Sequence, residues 1–297
     1  MARTDAFQIL FLGAFTQDTI VSGGTEKVVD GGAFYYGASV AVRMGLRTGA
    51  VTRLAARDRG VVVRLQQLGV SLRARETTDS TCLRIEYPSG NPDQRTITVT
   101  STAGSFEPED LGDWRAATAV VGASFRGEVG EEMLGLLVSR GCRLALDVQG
   151  YVRVLRHGVL HREPWDAASR LLPLVSILKA DVDEAELLTG TRDLRVAAAR
   201  LLDGGAAEVL LTSSRAVIAA DSGGVAEAPL IPRQVVGRSG RGDTCLAAYA
   251  AKRMSEPLAE SLVWAAAVTS CKLERDGPFQ GTLREAEVRA REIRAAR

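Results

Sequence analysis

Histidine, cysteine and aromatic side chains are all in short supply along this chain, and each shortage closes off a kind of chemistry. Two histidines occur in 297 residues, His157 and His161. Their i, i+4 spacing suits a metal pair, but no Glu stands between them as an HExxH zinc site requires. The four cysteines, Cys82, Cys142, Cys245 and Cys271, are dispersed and form no CxxC pair. They read as reduced core residues and not as a disulfide framework or zinc cluster. Aromatics make up 5% of the chain, which leaves little surface for stacking a nucleobase. Charge of one sign is also missing. The 37 basic and 36 acidic residues leave a net charge of +1, so no overall field draws the chain to nucleic acid or membrane. No run approaches the ~20 apolar residues of a membrane span. The first apolar run, Phe7–Gly13, has one strand's length and lacks a signal peptide's longer apolar region and cleavage site. A cytoplasmic location is therefore expected.

What is present is ordinary globular composition, 46% hydrophobic and 25% charged. The length allows one large α/β domain or two small ones. Short apolar runs alternate with segments of helical period. Phe7–Gly13, Thr48–Leu54, Ala119–Gly122, Arg143–Asp147, Val175–Lys179 and Val209–Thr212 read as strands. Gly37–Gly45, Val61–Leu68, Glu128–Arg140, Asp183–Leu188 and Leu194–Asp203 read as helices. Such alternation implies a mostly parallel sheet covered on both faces. One region departs from the pattern. Thr81–Tyr87 and Arg95–Thr100 flank the turn cluster Pro88–Pro92, and Asp18–Val29 surrounds Gly23-Gly24. Together these predict a small sheet beside the main one. With no linker or repeat, the chain reads as one domain, 1–297, with a lid formed by about residues 15–32 and 81–102.

The densest chemical signal is Val235-Val-Gly-Arg-Ser-Gly-Arg-Gly-Asp-Thr-Cys245. Gly237, Gly240 and Gly242 precede a helical run that starts near Asp243. Small residues there let backbone N–H groups crowd at a helix N-terminus and form an anion site. A carboxylate so placed can take the proton of an attacking hydroxyl. The same residues also suit a plain glycine turn with Asp243 as helix N-cap.

The stretch G-R-S-G-R-G-D-T resembles the C-terminal signature of the PfkB, or ribokinase-like, carbohydrate kinases, commonly D-T-x-G-A-G-D. That resemblance implies an α/β fold with a mostly parallel central sheet flanked by helices and a small β-sheet lid. It makes Asp243 the catalytic base and Gly240, Arg241 and Gly242 the anion hole. Arg241 replaces the usual Ala and is placed to meet phosphate or solvent. Gly237 stands where the motif has its first Asp, a residue that supports a monovalent-cation site in relatives. The resemblance thus does not extend to a potassium requirement.

The likeness continues along the chain. Gly31-Gly-Ala-Phe-Tyr-Tyr-Gly is similar to the family's N-terminal signature, which implies that Gly31, Gly32 and Tyr36 meet the acceptor. Asp18 matches an early aspartate that accepts from substrate hydroxyls. Lys179-Ala-Asp-Val-Asp-Glu184 is similar to the N-x-x-E region, implying a Mg²⁺ role for Glu184 and Asp181, with Asp181 in place of Asn. The same acidic turn would also complement a helix dipole. Leu211–Val217 resembles the nucleotide loop, implying that Thr212, Ser214 and Arg215, with Lys179, hold ATP. Ala265–Lys272 would line the adenine side or serve as tight helix packing.

Leu146-Asp-Val-Gln-Gly-Tyr-Val-Arg153 looks nearest to the myo-inositol-kinase-like branch, which places Gln149 and Arg153 by the acceptor. The expected activity is ATP-dependent transfer of the γ-phosphoryl group to a small polyol, sugar or cyclitol. A nucleoside kinase and a non-catalytic binder of the same family are the alternatives. Relatives often pair through their lids, and an exposed hairpin edge gives a physical motive for such a homodimer.

Overall fold

In the computed structural model, which describes residues 6–88 and 95–296, the apolar runs assemble into one wide sheet and the β-branched segments into a smaller one. The strands are β1 (Phe7–Leu12), β2 (Thr16–Ser22), β3 (Thr25–Gly31), β4 (Thr48–Ala55), β5 (Ser71–Thr77), β6 (Thr81–Tyr87), β7 (Thr96–Ser101) and β8 (Ala116–Val121). They continue as β9 (Arg143–Asp147), β10 (Arg153–Arg156), β11 (Val159–Arg162), β12 (Ile177–Asp181), β13 (Glu208–Thr212), β14 (Ala216–Asp221) and β15 (Gly224–Pro229). The helices are α1 (Ala33–Arg43), α2 (Gly60–Gln67), α3 (Pro108–Leu111), α4 (Glu131–Ser139), α5 (Gln149–Val152) and α6 (Ala168–Leu171). After them come α7 (Val182–Thr189), α8 (Leu194–Asp203), α9 (Arg241–Lys252), α10 (Leu258–Leu273) and α11 (Leu283–Ala295).

The wide sheet runs β15-β14-β13-β12-β9-β8-β1-β4-β5. From β13 to β5 every pairing is parallel; β14 and β15 add an antiparallel edge. Strict alternation puts successive side chains on opposite faces, and both faces are covered. Ile9 and Phe11 join the core under α1, α9 and α10, whereas Leu10 and Leu12 join the core on the other side with α4, α7 and α8. This two-sided burial is why the strands read as continuous apolar runs. The order reverses beside β1, and the carboxyl ends of β8, β9, β12 and β13 open there into a crevice, the usual ligand position of such sheets.

The smaller sheet runs β10-β11-β7-β6-β2-β3, antiparallel except for β2 with β6. It stands over that crevice. The segments expected to form a small sheet supply four of its strands, and Arg153–Arg162 adds two unforeseen ones. Of the predicted turn cluster, Ser89–Pro92 lies outside the described residues. The helix expected over Glu128–Arg140 begins only at Glu131, because the Glu128 carboxylate turns inward and accepts from the Ser124 N–H at 2.8 Å. His157 and His161 fall in the β10–β11 hairpin and not on one helix face. Among the described residues no helix is long and apolar enough to cross a membrane.

Candidate functional site

A cavity of about 360 Å³ lies between the strand ends and the smaller sheet. Its floor is the glycine turn before α9. Gly240 caps that helix at φ 73°, in the left-handed region, and a Cβ there would lie 2.1 Å from the Tyr36 ring. A Cβ on Gly242 would lie 3.0 Å from Lys179 Nζ, and one on Gly122 would strike the Ala33 methyl at 2.2 Å. The floor is thus built where neighbouring side chains press on the glycine backbone, leaving no room for a Cβ at Gly240 or Gly122. Gly240, Arg241 and Gly242, at the start of α9, border the cavity. The Arg241 N–H donates to Arg238 O at 3.3 Å, and the helix dipole with the other N–H groups of that turn favours an anion there. Asp243 follows in the same turn and borders the cavity.

Beneath this floor is a buried set of charges. Lys179 Nζ lies 3.0 Å from Asp147 Oδ2 and 3.4 Å from Glu184 Oε2. Burial lowers the Lys179 pKa, but Asp147 and Glu184 outweigh it and hold the ammonium charged. Burial raises the Asp243 carboxyl; Lys179 and Arg153 oppose that rise and Asp18 adds to it. Asp147, at the end of β9, is also raised by burial against the pull of Lys179.

Of the residues expected to meet the acceptor, Asp18, Gly32, Gln149 and Arg153 border the cavity. Asp18 is 8% exposed, and among the described residues its Oδ1 has no hydrogen-bond partner. Burial pushes its pKa up to about 6 against a Thr16 hydrogen bond and the charges of Arg153 and Arg95. A buried acceptor atom left open toward a cavity suits a ligand hydroxyl. Gly31 does not border the cavity. Its role is local: a Cβ there would lie 2.4 Å from Thr16 Oγ1 and 3.0 Å from Asp18 Oδ2, so only glycine leaves that carboxylate room. Tyr36 borders the cavity, yet its hydroxyl donates to Asp30 O at 3.4 Å and its ring seats Gly240. Gln149 donates from Nε2 to Ala123 O at 3.5 Å.

Of the two residues of the proposed metal pair, Asp181 borders the cavity and Glu184 does not. Asp181 caps α7, accepts from the Glu184 N–H at 2.8 Å and borders the cavity. Burial works to raise its pKa, but the Lys179 charge, the Glu184 N–H and the charges of Arg162 and Arg153 together hold the carboxyl below its usual range. Glu184 is fully buried, away from the cavity lining, with Oε2 accepting from the Asp181 N–H and from Lys179. Among the described residues no three acidic, His or Cys side chains cluster as a metal cage. One carboxylate at the rim does fit a Mg²⁺ held mainly by phosphate oxygens and water.

Thr212 and Ser214 border the cavity; Arg215 is exposed and does not. Ala265–Lys272 also stays off it. Residues 265–270 are wholly buried in α10, which corrects the expectation of an adenine-lining face. The cavity instead gathers Arg95, Arg162, Arg192 and Arg238, with Leu83, Ile85 and Ile97 overhead. Of these, sequence signalled only Arg238, within the glycine motif; the others come from segments that meet only in the fold.

A family model described as pfkB family carbohydrate kinase matches residues 37–283. One similar solved structure is a pyrophosphate-dependent kinase in the ribokinase family, complexed with a pyrophosphate analog and myo-inositol. It is 28% identical, with a TM-score of 0.87, over 94% of this chain and 99% of that one. A sulfate complex of a pyrophosphate-dependent kinase in the ribokinase family is 29% identical, with a TM-score of 0.85, over 96% and 99%. Ribokinase of Arabidopsis thaliana, complexed with ribose and ATP, is 20% identical with a TM-score of 0.76, over 96% and 99%, and shares the fold. No curated protein sequence matches the chain.

Proposed function

The chain belongs to the pfkB family of carbohydrate kinases, and on that premise we propose that it transfers a phosphoryl group from pyrophosphate to a hydroxyl of a cyclitol of the myo-inositol type. The observation that carries the donor is the shape of the site. Arginines 95, 162, 192, 238 and 241 and Lys179 border the cavity. Arg162 and Arg192 pair with Asp183 and Lys179 with Asp147 and Glu184, so Arg95, Arg238 and Arg241 are the ones placed to meet a small polyanion. The helix stretch meant for adenine is sealed in the core. The similarity to a pyrophosphate-dependent kinase complexed with myo-inositol supports both donor and acceptor.

On this reading the acceptor lies under the smaller sheet, which acts as a lid, with its hydroxyls on Asp18, Gln149 and Arg153. Asp243 takes the proton of the attacking hydroxyl: burial raises its pKa, which strengthens it as a base, while Lys179 and Arg153 oppose that rise. The N–H groups of 240–242, the α9 dipole and Arg241 meet the charge on the phosphoryl group in transit. Magnesium bound to the donor would neutralise part of that charge, and Asp181 is the carboxylate placed to meet it. Leu83, Ile85 and Ile97 exclude water, which limits hydrolysis of the donor.

ATP is the second reading, favoured by Thr212, Ser213 and Ser214 bordering the cavity where the resemblance puts the nucleotide loop. Phosphorus NMR on the purified protein separates the two, with pyrophosphate, ATP and GTP offered against myo-inositol, ribose and adenosine. The expected result is phosphorylated inositol, with kcat/KM at least about tenfold higher for pyrophosphate than for ATP. Turnover with ATP at equal or higher efficiency sinks the pyrophosphate assignment. Turnover of adenosine alone sinks the cyclitol assignment.

A further inference from the structure

Lys272 is a charged residue that the mechanism above does not use. It occupies the last turn of α10 and is 1% exposed. Its Nζ donates to the carbonyl of Gly237 at 2.7 Å and lies 5.5 Å from the centre of the Tyr36 ring. Among the described residues that carbonyl is its sole hydrogen-bond acceptor. An ammonium has three donors and is costly to bury. One carbonyl and one aromatic face are few partners for a group that served packing alone.

The position explains the charge. Gly237 begins the segment that leads to Gly240, and Gly240 also packs on the Tyr36 ring, so closely that a Cβ there would lie 2.1 Å from it. The backbone at 236 and 237 is tied to the end of α10 through N–H bonds to Leu273 O of 2.8 and 3.2 Å. A Cβ on Gly237 would lie 2.6 Å from Arg275 O, so this backbone is pressed against the loop after α10. Lys272 and Gly240 therefore share the Tyr36 ring as a neighbour, which ties the lysine to the glycine turn.

We propose that Lys272 is a positioning residue for phosphoryl transfer: its fixed ammonium seats the 237–240 turn and supplies, beneath the anion site, the single positive charge that a bound alkali cation would otherwise provide. The inference rests on reading 240–242 as the phosphoryl site. It has a direct consequence: the reaction needs no added potassium or ammonium.

The charges around the group favour this role. Burial pulls the Lys272 pKa down to about 8, opposed by Asp276, after α10, and Asp243, on α9, while Arg241 adds to the fall. Asp276 is itself paired with Lys27 on β3 of the lid sheet. The ammonium is charged at neutral pH and lost above about pH 8, so kcat is expected to decline on that alkaline side.

The test uses pyrophosphate and myo-inositol as probes. Parent turnover should be unchanged when sodium is replaced by potassium, ammonium or tetramethylammonium. Lys272→Met, which keeps the chain's bulk and removes the charge, should lower kcat by about 10- to 100-fold. Lys272→Ala, which leaves room for an ion, should regain part of that loss in potassium or ammonium but not in tetramethylammonium. Lys272→Arg keeps a charge that does not titrate, so the decline above about pH 8 should vanish. Strong potassium activation of the parent overturns the inference, and so does full turnover of Lys272→Met. Those results with an inactive Asp243→Asn leave the phosphoryl site standing. Full turnover of Asp243→Asn removes that site and this inference together. Should the Met and Ala variants fail to fold, the cation series on the parent and the pH profile of Lys272→Arg decide the matter.

Discussion

The floor of the cavity and the sheet above it are built on opposite principles. The floor joins the ends of β8, β9, β12 and β13 to the first turn of α9, with two large buried clusters of apolar side chains behind it. Its glycines are immobilised by neighbours, and its charges, Lys179, Asp147 and Glu184, are buried and mutually paired. Among the described residues, the sheet above has a core of three buried side chains, Leu83, Ile97 and Val99. Its outer residues are ion-paired in solvent, Arg84 with Glu26 and Glu86. It is held to the body partly by Lys27–Asp276 and Arg162–Asp183, exposed pairs worth little each. On the proposed reading, chemistry sits where close neighbours confine the backbone, and closure falls to the region with fewer buried contacts to lose on opening.

The largest effect that can break this contrast is chemical. Asp243→Asn keeps the shape of the floor and removes the base, so kcat should fall by about 10²- to 10⁴-fold. Thermal stability and pyrophosphate binding should be near parental. A variant with parental kcat would mean that the floor orients the substrates without supplying a base.

Next in size is a pair of glycines. Gly240 and Gly24 both have positive φ, 73° and 78°, but a Cβ on Gly24 meets nothing within 4 Å whereas one on Gly240 enters the Tyr36 ring. Gly24→Ala should cost about 1 kcal/mol, from backbone strain alone. Gly240→Ala adds overpacking and should cost about 2–4 kcal/mol. Denaturant titrations of both variants measure the difference. Equal costs would show that the floor yields as readily as the lid.

The same contrast governs how much was readable in advance. Arg143–Asp147 and Leu194–Asp203 were predicted with the bounds the structure shows, because buried strands and amphipathic helices print their period on the chain. Helix α10 was read only as a small-residue stretch, since buried all round it carries no polar face to set a period. Strands β10 and β11, RVLR and VLHR, are too short and charged to signal a strand without their partner β7. At the site, the glycine motif announced the floor because close approach demands glycine. Arg95, Arg162 and Arg192 gave no signal: a surface arginine and one brought to a cavity by tertiary pairing look alike in sequence. Lys272 was read as the edge of a nucleotide face, and only its burial under the turn shows otherwise.

The smallest effect sharpens the contrast at the place where the two regions meet. Asp18 is carried by β2 of the upper sheet, yet its carboxylate borders the cavity beside Gly32 and Arg153. Burial raises its pKa from 3.8 to about 6 in the folded chain. The folded state therefore holds this proton more tightly than the unfolded chain does. The cost of burying the charged form is fully present above about pH 6 and is relieved as pH falls toward 3.8, so acid steadies the empty site. Acceptor binding runs the other way, because hydroxyl donors need the carboxylate. Calorimetry with myo-inositol should give a constant affinity above about pH 6 and a loss of up to about tenfold per pH unit below it. Asp18→Asn should bind more weakly at neutral pH and show no such slope. A slope that survives in the variant would assign the titration to another group and leave Arg153 as the polar residue by which the upper sheet holds the acceptor.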